Sequence, residues 1–461
     1  MCVSEPAKSD PAGRAERGVA ARAEVPRASL AEWEPPADRA DPVEQLIAQG
    51  QARLTNLVPI RHGRMSTSAF AFYRGSAVVM AADLASQPNT GLIVQLCGDA
   101  HIANFGMFAS PERTLLFDLN DFDETHPGPF EWDVKRMAAS AVLIARSNGL
   151  GSSAQRALAR RSAQAYREAM RDFAQKTTLD VWYSRLDISD LGRLASSMPP
   201  DAALARVDRS IEGARRRTNL QAMSKLTTVV NGQRQFVEDP PLLMRVGPEQ
   251  AELLSSESMA AYRETLVSDR AVLLDQFHVV DVARKVVGVG SVGTRCYVLL
   301  MQGVDGGDPL MLQFKEATAS VLEPYTAPCA YGQHGARVVA GQRLMQAASD
   351  IFIGWTSATD AHGVDHDTYV RQLRDMKFSP DLSALDVDSL NLYLHACGWT
   401  LARAHARSGD RLALAAYLGR NSKFEDAITA WAMSYADQAE ADHEAMVHAI
   451  RMAQLPAITG V

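Results

Sequence analysis

Gly98-Asp99-Ala100-His101-Ile102-Ala103-Asn104-Phe105-Gly106 is the stretch on which the reading of this chain turns. It follows directly on Leu92-Ile93-Val94-Gln95-Leu96-Cys97, an apolar run of the length of a buried strand. A second such run, Thr114-Leu115-Leu116-Phe117, leads into Asp118-Leu119-Asn120-Asp121-Phe122-Asp123-Glu124, with four acids in seven residues. An Asp, an Asn five residues later, and a further Asp beyond an intervening strand are what phosphoryl transfer to a hydroxyl needs. Asp99 would accept the hydroxyl proton as catalytic base, while Asn104 and Asp121 would hold magnesium against the phosphates. Asp123 is a further candidate metal ligand, since magnesium prefers hard carboxylate and amide oxygens. Any one of these residues could equally cap a helix or occupy a turn. Four crowded acids, however, repel one another unless something cationic sits among them, and this points to a site.

A second motif lies far downstream, Gly288-Val289-Gly290-Ser291-Val292-Gly293. A dinucleotide-binding reading of this spacing requires a helix immediately afterwards. Here the next residues, Cys296-Tyr297-Val298-Leu299-Leu300-Met301, read as a strand, and Val279–Val287 reads as a strand before the loop. Strand, glycine loop, strand is the arrangement in which the loop covers nucleotide phosphates. Gly288, Gly290, Ser291 and Gly293 are therefore candidate nucleotide-binding positions. The following strand, Leu310–Phe314, ends at Lys315, 22 residues after Gly293, from where its amine could reach those phosphates. The alternative is a glycine-rich hairpin beside a surface lysine.

Outward from these motifs the chain divides by character. Residues 1–40, rich in Ala, Arg, Glu and Pro without apolar periodicity, read as a disordered tail. Asp41, Pro42 and Glu44 open a helix whose apolar face would be Val43, Leu46 and Ile47, with Leu54 beyond. Residues 41–175 would carry the catalytic loop and metal site, and 176–275 would be a mostly helical insertion. Residues 276–380 would form a small lobe with the glycine loop and Lys315, including strands at Ile351–Ile353 and Tyr369–Leu373. Residues 381–461 would return to helix. The net charge of −7 argues against nucleic acid or an acidic membrane as partner. The basic run Arg215-Arg216-Arg217 reads as a solvated helix face. Five scattered cysteines without a CxxC pair argue against a zinc ribbon or disulfide framework. With no long apolar run and no apolar leader, the expectation is a cytoplasmic protein.

The first motif resembles the catalytic loop of the aminoglycoside-phosphotransferase and choline-kinase group of kinase-like enzymes. Asp121 then matches that group's metal-binding Asp, and Asp133 the Asp of its following helix. Leu401-Ala402-Arg403-Ala404-His405 resembles the end of the helix that precedes the catalytic loop there, and Gly288 to Gly293 with Lys315 resemble its glycine loop and phosphate-binding lysine. The chain beyond residue 40 also resembles a bacterial family of unknown function with Gly-Asp-Ala-His, Asn-Asp-Phe-Asp-Glu and Lys-Glu-Ala signatures. The order is inverted relative to ordinary kinases, where glycine loop and lysine come first, and a circular permutation would reconcile it. The helix after Lys315 offers no acid to pair with that lysine; Glu323 is the nearest candidate.

The expected fold is thus α+β: two-lobed, protein-kinase-like, circularly permuted, with a helical insertion. The resemblance implies an ATP- and magnesium-dependent phosphotransferase acting on a hydroxyl of a small molecule or protein. A metal-dependent hydrolase using Asp99, His101, Asp121 and Asp123, a nucleotide-binding pseudokinase, and nucleotidyl transfer remain alternatives. Arg64 and Arg74 would bind phosphate or pair with local acids. His101 would orient the loop backbone in preference to holding metal, and His405 would be a packing residue. Asp133 would be a helix cap or a buried anchor for the catalytic loop.

Overall fold

A short apolar strand needs a partner within reach, and β1 (Ile93–Leu96) finds one in β4 (His126–Pro129), while β2 (Phe105–Ala109) pairs with β3 (Leu115–Leu119), both antiparallel. These ribbons belong to a computed structural model that describes residues 10–187, 189–191, 219–304, 308–360, 362–373 and 378–461. The fold is mixed α+β. The ribbons lie against long helices, Phe130–Ser147, Ser152–Phe173, Val387–Ser408 and Lys423–Arg451, which share one large core with them. Phe130 stacks on Tyr166 at 5.9 Å and on Phe424 at 6.1 Å, joining three of these helices.

β5 (Thr227–Val230) and β6 (Gln233–Phe236) form a hairpin closed by Asn231-Gly232, both at positive φ. That dipeptide is the preferred two-residue hairpin turn because Asn and Gly tolerate left-handed backbone. The remaining strands are β7 (Leu243–Arg245), β8 (Phe277–Lys285), β9 (Cys296–Gly303), β10 (Pro309–Glu316), β11 (Gly354–Thr359) and β12 (Asp365–Gln372). They make a six-stranded antiparallel sheet in the order β11-β12-β10-β9-β8-β7. β9 reads as an unbroken apolar run because both its faces are covered. Tyr297, Leu299 and Met301 enter one core, and Val298 and Leu300 the other. The helix His334–Met345 connects β10 to β11.

Four expectations are corrected. Residues 10–40 are not a disordered tail: Pro11–Glu24 is a helix capped by Asp10, and it docks on the helix Arg411–Leu418 through Gly18, Ala21 and the pairing of Arg14 and Arg17 with Asp410. Small residues and arginines carry that interface, so hydrophobic periodicity does not register it. Ile351–Ile353 is a turn, set by the Asp350 carboxylate accepting the Phe352 amide at 2.8 Å, and the strand begins at Gly354. Ile47 is exposed; the buried face of its helix is Pro42, Leu46 and Gly50. Finally, the 176–275 segment is not helical throughout its described residues. It supplies the edge strand β7, and its Leu254, Tyr262 and Leu274 fill one face of the sheet. Arg215, Arg216 and Arg217 lie outside the described residues.

Candidate functional site

β1 hands the chain to Gly98, where φ is +83° and a Cβ would lie 2.1 Å from the Glu124 carbonyl oxygen. Only glycine can make that turn, which swings Asp99 out of the strand. The loop is fixed from below. Asp133 accepts the amides of Cys97 at 2.7 Å and Gly98 at 3.0 Å, while His405 Nε2 lies 3.2 Å from the same carboxylate. Tyr166 contacts His405 Nδ1 at 2.9 Å. Asp133 is therefore an anchor for the loop; the helix cap is Pro129. The Tyr393 hydroxyl, from the helix that carries His405, bonds the carbonyls of Ile102 and Phe105 at 2.7 and 3.0 Å.

Asp99 Oδ1 accepts a 2.5 Å bond from Arg136 Nε, one turn past Asp133 on its helix. The same guanidinium donates to the Tyr73 carbonyl and lies over the Tyr73 ring. Burial raises the Asp99 carboxyl above its ordinary value by more than Arg136 lowers it. Asn104 Nδ2 donates to the Asp99 carbonyl at 2.7 Å. His101 is buried, its Nε2 is 3.7 Å from Asp99 Oδ2, and its Nδ1 has no hydrogen-bond partner among the described residues. Burial first, then Arg74 and Arg136, push its imidazole far down, so it is neutral at physiological pH.

The acid cluster splits by direction. Asp118 turns inward to Arg403, with bonds of 2.6 and 2.8 Å between two buried side chains. Asp121 and Asp123 turn outward and meet Lys315. Its amine is 3.7 Å from Asp121 Oδ2 and in contact with Asp123 Oδ2, although 192 residues separate Lys315 from Asp123. Burial alone would depress that amine, but the two carboxylates outweigh it and hold the amine above its usual value. The Tyr369 hydroxyl donates to Asp123 Oδ1 at 2.8 Å. Arg337, where no acid is available on the helix after Lys315, instead binds the carbonyls of Asp123, Thr125 and Thr318. Glu323 accepts the Cys329 amide, and Lys315 pairs with the two aspartates.

The glycine loop closes the arrangement from the opposite side. Leu54 N–H bonds the Gly293 carbonyl at 2.8 Å. Arg53 donates to the carbonyls of Gly290 and Val292 at 2.8 and 2.7 Å, and Arg64 to that of Gly288 at 2.6 Å. Ser291 Oγ reaches Asp123 Oδ2 at 3.2 Å. Asp99, Asn104, Asp121 and Asp123 thus face Gly288, Gly290 and Ser291 across one cleft of about 100 Å³. Lys315 lies behind the acids, and Gly293 is at the loop's anchored end. A larger cavity of about 500 Å³ adjoins it, sharing Gly288 and bounded by Val286, Gln313 and Leu373. Among the described residues no three His, Cys, Asp or Glu side chains form a metal-holding group. No helix of the described residues is long and apolar enough to cross a membrane.

Sequence reasoning missed Arg53, Arg61 and Arg136. Arg136 alone left a signal, lying three residues after Asp133 on a helix, where i and i+3 share a face. An α+β protein with an acidic cleft, a buried lysine behind it and a pinned glycine loop in front is the class that fold and site define. Residues 53–449 match the model of a family described as an uncharacterised protein conserved in bacteria (DUF2252), and the chain belongs to that family. No curated protein and no solved structure matches it.

Proposed function

We propose that this chain is an ATP-dependent phosphotransferase of kinase-like, circularly permuted architecture, with a hydroxyl group as acceptor. The observation that carries the reading is the meeting of Lys315 with Asp121 and Asp123 under Ser291 of the glycine loop. The order of parts within the sheet supports it. The glycine loop joins β8 to β9, and the lysine stands on the third strand of that meander with a helix after it, as in kinases. Permutation accounts for the catalytic loop preceding these parts in the chain while facing them in space.

In this reading the acceptor hydroxyl gives its proton to Asp99 Oδ2, the oxygen that Arg136 leaves open, and Arg136 keeps the carboxylate aimed. Lys315 and the loop amides hold the nucleotide phosphates. The larger cavity beside Gly288 offers room for the nucleoside. The donor set fits magnesium: Asp121 is a hard carboxylate facing the cleft, and Asn104, its Nδ2 committed to the Asp99 carbonyl, has Oδ1 available. Magnesium held by these two residues would neutralise phosphate charge. The hydrolase alternative on Asp99, His101, Asp121 and Asp123 is less well supported, because these side chains do not group around one point and Lys315 stands against the last two.

The test is thermal unfolding with ATP, with and without magnesium, on the wild type and on Lys315→Ala. At a hundredfold excess over Kd the wild type should gain about 2.7 kcal/mol, and the variant should gain little. Asp99→Ala should retain binding and lose turnover. ATP affinity unchanged in Lys315→Ala overturns the proposal. Magnesium-dependent binding without transfer to any acceptor would indicate a pseudokinase, and tightly held zinc, manganese or iron without nucleotide affinity a hydrolase.

A further inference from the structure

Not every cation around the cleft has an acid in contact. Asp99 is paired with Arg136, Asp121 and Asp123 share the one amine of Lys315, and Glu316 is paired with Arg295 at 3.2 Å. Glu124, which accepts the Val321 amide at 2.8 Å, has no cation in contact among the described residues. On the same cleft stand three guanidiniums from the N-terminal helices and the loop between them: Arg53, Arg61 and Arg74. None of the three is ion-paired among the described residues. Arg53 spends one nitrogen on carbonyls of the glycine loop. Arg61 is fully buried and gives Nη2 to Gln49 and to the Gly75 carbonyl, both at 2.6 Å, while its Nε and Nη1 are buried with no hydrogen-bond partner among the described residues. Arg74 Nε is likewise buried and unpartnered.

A buried, unsatisfied guanidinium costs far more than an exposed one, because burial removes its water and nothing replaces it. The three guanidiniums bring positive charge and unmatched N–H donors to one place, and a phosphate dianion would supply both the opposite charge and the acceptor oxygens. Arginine presents a planar fork suited to phosphate oxygens. A cleft of about 100 Å³ has room for such a group. We infer that Arg53, Arg61 and Arg74 form an anion subsite that binds a single phosphate group opposite the Asp121–Asp123–Lys315 cluster. Two sources share that chemistry, the terminal phosphate of the nucleotide or a phosphate carried by the acceptor. Naming these sources rests on the transferase reading; the subsite's charge does not.

The probes are inorganic phosphate, ADP and ATP, titrated calorimetrically into the wild type and Arg74→Gln. Arg74 is partly exposed and, unlike Arg53, donates no side-chain bond to the glycine loop, so its variant should keep the native melting temperature; Arg61→Gln serves as a second variant. Wild type should bind inorganic phosphate without magnesium or nucleotide, and Arg74→Gln should bind it about tenfold or more weakly. If the nucleotide is the source, Arg74→Gln weakens ATP about tenfold and leaves ADP nearly unchanged. If the acceptor is the source, both nucleotides bind the variant normally, and phosphate still titrates into nucleotide-saturated wild type. No phosphate binding by wild type at about 10 mM, or equal binding by folded Arg74→Gln and Arg61→Gln, overturns the subsite. Magnesium-ATP binding that survives that outcome leaves the transferase reading standing. Arginine-dependent phosphate binding without any nucleotide affinity does the reverse.

Discussion

Lys315 is 1% exposed and charged, held so by two carboxylates that themselves face the cleft. Replacing it with methionine removes the cation and leaves two aspartates repelling each other beside water. Magnesium alone, without nucleotide, should then raise the melting temperature of Lys315→Met more than that of the wild type, in which the amine already fills the position. Equal shifts would mean that the amine does not compete for those carboxylates. Arg403 and Asp118 make the opposite case, a pair with no access to solvent. Arg403→Met should cost about 3–5 kcal/mol, read from the urea midpoint, because the buried Asp118 side chain is left without its cation; adding Asp118→Asn should recover much of it. At this scale the acids were legible because Asp99, Asn104 and Asp121 carry a spacing. The guanidiniums around them were not. Arg53, Arg61, Arg136 and Arg403 come from three separate regions of the chain, and an isolated arginine reads the same whether it faces water or the protein interior.

Elements were legible where one physical signal dominated. The runs that became β1, β3, β9 and β10 are apolar because both their faces are covered, and the Asp41-Pro42-Glu44 start of a helix is capped as its residue types dictate, by Asp41 accepting the amides of Val43 and Glu44. The hairpin of β5 and β6 carried its own marker in Asn231-Gly232, overlooked because its flanking strands are short and half polar. The helix Val387–Ser408 shows what a boundary alone leaves out, since its role lies in what it braces. It also holds His395, whose imidazole is pushed down to about 4, chiefly by burial and further by Arg161. The native state then binds that proton more weakly than the unfolded chain does. Between pH 6.5 and 4 the unfolded state gains protons, so stability present above 6.5 is lost as pH falls. The loss should amount to roughly 2 kcal/mol by pH 4. His395→Leu should flatten that part of the curve of denaturation midpoint against pH, and an unchanged slope would assign the acid sensitivity elsewhere.

Across the whole molecule, distant parts of the chain are tied by charge. Arg39 donates to Asp83 at 2.7 and 2.9 Å and to Asp442 at 2.9 and 2.6 Å, joining the N-terminal segment to the helices Ala77–Ala85 and Lys423–Arg451. Trp33 packs edge-on against Tyr435 at 4.9 Å beside it. Arg39→Ala should therefore lower stability by on the order of 3 kcal/mol in thermal unfolding, where loss of a residue from a disordered tail would change nothing. The meeting of Asp121 with Lys315 was inferred from chemistry, because only two motifs of complementary function linked the segments; how the helices between them pack left no trace in composition. The brace formed by Val387–Ser408 has a temporal consequence. During synthesis the stretch from β1 to Ser152–Phe173 emerges more than 200 residues before the helix that neutralises Asp118 and steadies Asp133. At typical elongation rates that is a wait of roughly 10–45 s. For that interval the nascent half-protein carries an unmatched interior acid and an open apolar seam, a natural stopping place for a chaperone.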